Sequence, residues 1–277
     1  MAVPVQAEKL FDLGALPVTN SLVNGWIAVL ACVALALALR SCRSPVPRGL
    51  QNVAERILEF LLDFMDQVTH SRAKSLKFLP ICGTLFLFIL FSNWLGLLPG
   101  VGSIGIWETV HGERELVPIL RAATSDLNTT LAIGISAVLV SHIVGVAAIG
   151  FFKYWGKFIQ IAGVWRALLG FGRKRIGTAA MDLFTALIEM MVGVIELVSE
   201  VAKMVSLSLR LFGNVFAGEV LLWVFFRLAG YVVPIPFIFM ELIVGVIQAM
   251  IFSTLTLVYL TVATEAPHGS EEHAPAH

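Results

Sequence analysis

Four stretches of this chain run for about 20 residues with almost no charge, which is the length a helix needs to cross a hydrocarbon core of roughly 30 Å. Residues 22–39 and 78–98 hold no acidic or basic side chain, residues 127–152 hold only His142, and residues 237–262 hold only Glu241. In lipid each backbone N–H and C=O must find a partner inside its own segment, and a helix provides that. Composition agrees: 58% of residues are hydrophobic, 14% are charged and the mean hydropathy is +0.87, whereas a water-soluble core of this size needs far more polar surface. The expected fold is all-α: one polytopic membrane domain over 1–277, with about five membrane helices and an interfacial amphipathic helix. With 19 basic and 19 acidic residues the net charge is zero, so nothing draws the chain to nucleic acid. Cys32, Cys42 and Cys82 have neither metal-ligand spacing nor an even count for pairing, so no metal site is expected.

Residues 22–39 end in ALALAL before Arg40, which offers small residues for leader cleavage. The preceding residues set only Lys9 against Glu8 and Asp12, so the basic start of a leader is missing and a retained helix is expected. Residues 50–69 keep Ile57, Phe60, Leu61, Phe64 and Val68 at helical spacing and Glu55, Glu59, Asp63 and Asp66 polar, the pattern of a helix lying along the interface. Ser125 or Asp126 is placed to cap the helix of 127–152. Basic residues cluster after the first span (Arg40, Arg43, Arg48), before the second (Arg72, Lys74, Lys77) and after the third (Lys153, Lys157, Arg166, Arg173, Lys174, Arg175). By the positive-inside rule those clusters face the cytoplasm, which puts the N-terminus and the loop of 100–125 outside and the C-terminus inside.

The last hundred residues do not fit an ordinary pair of spans. Residues 178–228 contain no proline, and as one helix they would run on the order of 75 Å, more than twice the hydrocarbon thickness. A strongly tilted hairpin is expected, with its turn at GYVVPIP (230–236), a return arm at 237–262 and a polar, disordered tail at 264–277.

Arg210 lies deep in the first arm. A cation at the centre of an inserted helix costs from roughly 2.5 to more than 10 kcal/mol, and guanidinium cannot escape by losing its proton. At 100° per residue, Glu189, Glu196, Ser199, Lys203, Ser206, Gly213, Asn214 and Ala217 fall within about 60° of it, one polar and small stripe that lets a partner helix come close. The bland reading of this stripe is an intrahelical pair of Glu196 with Lys203 and packing glycines, which does not account for Arg210. Glu219 points the other way. In an antiparallel hairpin, residues whose numbers sum to about 460 sit level, so Glu219 meets Glu241 and Arg210 meets Gln248 within about a turn. Two carboxyls that close would share a proton. The bland alternative for Glu241 is contact with interfacial water near the turn. His142, inside the span of 127–152, is as readily a packing residue as a relay. Asn128-Thr129-Thr130 matches a glycosylation sequon but opens a buried helix, so no glycan is expected.

SLSLRLFGNVFAGEVL (206–221), SDLNTTLA (125–132), NWLGLLPG (93–100) and QAMIFSTLTLVYL (248–260) together resemble the subunit a family of rotary F-type ATP synthases, from about residue 53 to 265. RLFGN followed by AGE is the specific part. The resemblance implies a proton-conducting stator without catalytic residues or cofactor, working against a ring of c subunits and held by b-type peripheral stalk subunits and lipid. It implies Arg210 facing the ring carboxylates, and Glu219, Glu241, Asp126 and Asn128 lining an outer half-channel. Gln248 and Asn214 would lie beside the arginine, and Glu196, Ser199 and Ser206 would form the cytoplasmic exit. Many relatives have a histidine where Glu241 stands, so His142 is a candidate for the missing imidazole. The ion is H⁺ or Na⁺, and a bacterial inner membrane is the expected location. The alternative is a secondary transporter holding an anionic substrate on Arg210; it predicts internal repeats, and none is present. Haem ligation is disfavoured, because His70, His111 and His142 fall at different depths.

Overall fold

In a computed structural model of the chain, residues 7–14, 16–41, 49–98, 105–110, 113–158, 176–230 and 232–265 are described. Among the described residues seven α-helices carry the fold: α1 (Asn20–Ser41), α2 (Leu50–Thr69), α3 (Arg72–Gly96), α4 (Leu127–Ile149), α5 (Phe151–Phe158), α6 (Ile176–Ala229) and α7 (Pro234–Thr264). Four of them, α1, α3, α4 and α7, are long and apolar enough to cross a membrane. The expected fifth, α6, is one helix of 54 residues, or about 80 Å of axis, whose apolar run is interrupted by Glu189, Glu196, Glu200, Lys203, Arg210 and Glu219.

Two short hairpins lie outside the helical expectation: β1 (Lys9–Leu13) with β2 (Leu16–Thr19), and β3 (Gly105–Val110) with β4 (Glu113–Pro118). Gly14, at φ +67°, adopts at the first turn the left-handed backbone that glycine takes without strain. The β3 segment GIWETV is rich in β-branched and aromatic residues, which fit a pleated ribbon.

Several boundaries move for local reasons. The second span begins at Arg72 because α2 ends on His70 in left-handed conformation and Arg72 ties back to Asp63 (3.2 Å) and Asp66 (2.7 Å). The third ends at Ile149 and not at 152, because Gly150 takes φ +96° and α5 starts anew. From 266 onward the expected disordered tail lies outside the described residues, as do Arg43, Arg48, Cys42, His111, Arg166, Arg173, Lys174 and Arg175.

The described residues fall into two compact units: those up to Ile135 with Leu207–Val258, and those of Ser136–Ser206 with Tyr259 onward. In the first, α3 packs on α1 and α2, with Leu61, Leu62, Met65, Phe78, Cys82, Phe86 and Ile89 buried. Val53, Ile57 and Phe60 of α2 remain exposed, an apolar edge consistent with a helix lying in an interface. Ser253 of α7 donates to the Cys82 carbonyl (2.9 Å) and Trp94 Nε1 to the Leu242 carbonyl (3.2 Å), fixing α7 against α3. In the second unit Tyr154 and Ala263 form a small core with Val146 and Ile149.

Candidate functional site

The site in the first unit grows from the way α6 and α7 meet. Leu207, Leu211, Gly218 and Leu222 of α6 are buried, a helical spacing, and so are Glu241, Gly245, Gln248, Ala249, Phe252 and Thr256 of α7. Asn214 Nδ2 donates to Gln248 Oε1 at 2.7 Å, Gly218 abuts Glu241, and the Phe225 and Phe237 rings stack with centroids 4.2 Å apart. These partners add up to 462, 459 and 462, the antiparallel register expected from the turn. Gly218 leaves room for this contact: a Cβ there would run into the Glu241 carboxyl, which would have to move aside.

The two carboxyls expected to share a proton have different surroundings. Glu241 is buried and makes no hydrogen bond or ion pair among the described residues. Glu219 is claimed by Arg121, whose Nε reaches both carboxylate oxygens at 3.0 and 3.2 Å. Arg121 is only 4% exposed. Its partner is 98 residues away, so no local pattern signals the pair.

The segment that carries Arg121 is clamped on both sides. Asn24 of α1 donates to the Arg121 carbonyl (2.8 Å) and Asn20 to the Pro118 carbonyl (3.3 Å), while Thr124 donates to Asn93 Oδ1 of α3 (2.5 Å). Ala122 sits where any Cβ on Gly96 would have to go. Asp126 caps α4: its Oδ1 accepts from the Asn128 N–H (3.4 Å) and its Oδ2 from the Thr129 hydroxyl (3.1 Å). Asn128 itself is exposed. The buried amide donors Asn93 Nδ2 and Gln248 Nε2 have no hydrogen-bond partner among the described residues.

Arg210 occupies the other face of α6. It is exposed, makes no hydrogen bond or ion pair among the described residues, and is flanked by exposed Ser206, Gly213, Asn214 and Ala217. Gln248, expected level with it, is bonded one turn further along, at Asn214. This guanidinium stands on a small-residue face between apolar segments, where a bare cation is costly in hydrocarbon and a second helix can come close.

The exit candidates lie in the second unit, where Ser199 and Ser206 are exposed and Glu196 is half-buried. Lys203 pairs there with Glu200 (2.6 Å, one turn away) and not with Glu196, which is two turns away. Glu200 also stands 3.6 Å from His142 Nε2, and His142 Nδ1 lies 2.6 Å from the Tyr154 hydroxyl. Glu200 falls about 80° from Arg210 on the helical wheel, just outside the stripe, so the sequence pattern does not mark it.

Residues 22–261 match the family described as ATP synthase A chain. The chain is 31% identical over 271 residues to ATP synthase subunit a of Gloeobacter violaceus, covering 95% of this chain and 92% of that one. It is 29% identical over 257 residues to ATP synthase subunit a of Moorella thermoacetica (92% and 95% covered). With ATP synthase subunit a 1 of Syntrophotalea carbinolica it shares 30% identity over 245 residues (88% and 86%). A transporter binding an anionic substrate is thereby set aside. The chain belongs to the ATP synthase subunit a family, the non-catalytic, proton-conducting stator of the membrane sector.

Proposed function

We propose that this chain conducts protons through two offset half-channels that meet only by way of a rotating ring of c subunits. Arg210 is the fixed charge between them. The observation that carries the assignment is the exposed Arg210, without a partner among the described residues, on a face of small residues that a ring helix can approach. A ring carboxylate arriving ionised is stabilised by the guanidinium; elsewhere hydrocarbon favours its neutral form, so a proton crosses only by riding the ring. Each charge moved through 100 mV releases about 2.3 kcal/mol, so several are needed per ATP.

Glu219, Glu241, Asp126 and Asn128 line the outer half-channel in this reading, with Arg121 holding Glu219 in place. The buried donors on Asn93 and Gln248 offer partners to a chain of water. Asn214 and Gln248 set the position of α7 behind the arginine. Glu196, Ser199 and Ser206 form the cytoplasmic exit, b-type stalk subunits anchor the stator, and the whole is one membrane domain in a bacterial inner membrane. Arg210→Ala is expected to abolish ATP-driven proton pumping in membrane vesicles while the complex still assembles. Pumping at the native rate by that variant would overturn the assignment.

A further inference from the structure

The second unit holds a cluster of titratable groups that the arginine and the outer acids do not use. His142 of α4 lies between the Tyr154 hydroxyl of α5, 2.6 Å from Nδ1, and Glu200 of α6, 3.6 Å from Nε2. Lys203 closes the other side of Glu200 at 2.6 Å and rests 5.3 Å from the Tyr259 ring centre of α7. Glu196, one turn from Glu200, also acts on Tyr154 electrostatically. Ser141, beside His142, is turned back onto the Val138 carbonyl of its own helix.

The backbone is shaped to bring these groups together. Gly150, at φ +96°, ends α4 and lets α5 fold back. Gly145 leaves room for the Tyr154 ring, which a Cβ would strike together with the Ala263 carbonyl. The tyrosine is 4% exposed and meets the imidazole edge to face, with ring centres 5.9 Å apart.

Chemistry assigns the protons. Burial, and after it the Glu200 and Glu196 carboxylates, push the Tyr154 phenol up to about 12, so it stays protonated at neutral pH. A ring nitrogen that faces a carboxylate carries its hydrogen, so neutral His142 holds N–H at Nε2 and accepts the phenol O–H at Nδ1. A proton arriving at Nδ1 forms a new N–H bond as the donor's O–H bond breaks, and the phenol turns to accept. The imidazolium then faces a carboxylate, and release restores the neutral ring. Held there, the extra proton faces Glu200, a carboxylate shared with Lys203, with Glu196 one turn away.

We propose that His142 is a proton-relaying residue of the exit half-channel, held between Tyr154 and Glu200. This rests on the assignment of Glu196 and Ser199 to that half-channel. The donor is a ring carboxylic acid and the acceptor is water on the cytoplasmic side.

The test uses inverted vesicles containing the complete ATP synthase, with coupled proton pumping measured against bath pH, which is then the cytoplasmic pH. His142→Gln keeps an amide that can bond both neighbours but cannot titrate. It is expected to lower the coupled rate about tenfold or more and to erase the rate transition in the neutral range where imidazoles titrate. Glu200→Gln leaves Lys203 facing the imidazole without its counter-charge and is expected to move that transition to lower pH. A His142→Gln complex with native rate and native pH profile overturns the proposal; if that variant does not assemble, an unmoved transition in Glu200→Gln does the same. Arg210→Ala in the same vesicles separates the two readings. Lost pumping there beside a native His142→Gln profile rejects the exit relay alone, whereas retained pumping rejects the assignment beneath it.

Discussion

Two arginines of this chain solve the same electrostatic problem in opposite ways. Arg210 stands on an exposed face with no partner among the described residues, where we propose that a carboxylate from outside the chain answers it, and Arg121 is answered from inside, by Glu219 across 3.0 and 3.2 Å. The internal pair has a consequence for stability. Removing the guanidinium strands a carboxylate that is 30% exposed, a case between the surface pair and the fully buried one. Arg121→Gln is therefore expected to cost on the order of 2 kcal/mol, read as a lowered melting midpoint of the detergent-solubilised complex. Arg121→Gln combined with Glu219→Gln removes the stranded charge as well, and should recover most of that loss. A double variant no more stable than the single one would show that the pair does not account for the effect.

At the scale of elements, the contact of α6 with α7 is set by where small residues fall. Gly218 opens a notch that the Glu241 carboxyl fills, and Asn214 bonds Gln248 two turns away along α7. Gly218→Ala puts a methyl group into that notch. Overpacking of this kind costs about 1–3 kcal/mol, and here it also displaces the Glu241 carboxyl, the acid proposed for the outer half-channel. Coupled pumping should fall in Gly218→Ala and recover in Gly218→Ala with Glu241→Asp, whose carboxyl is one methylene shorter. If the second change gives no recovery, the clash is not the cause.

For the molecule as a whole, the basic clusters carry the proposed orientation. In a variant without Cys32, Cys42 and Cys82, a cysteine replacing Glu115 should react with a membrane-impermeant maleimide only from outside, and one replacing Glu265 only from the cytoplasmic side. The reverse pattern would invert the assignment of the two half-channels. Membrane solvent, the long apolar helices and the α6–α7 register follow from the sequence, because hydropathy, helical period and turn position are local properties that lipid makes nearly obligatory. The partner of Glu219, the Tyr154–His142–Glu200–Lys203 chain and the notch for Glu241 do not follow, since each joins segments far apart in sequence whose side chains meet only when particular helix faces pack. A charge in an apolar run announces that it must be answered, and only the packed helices decide by what.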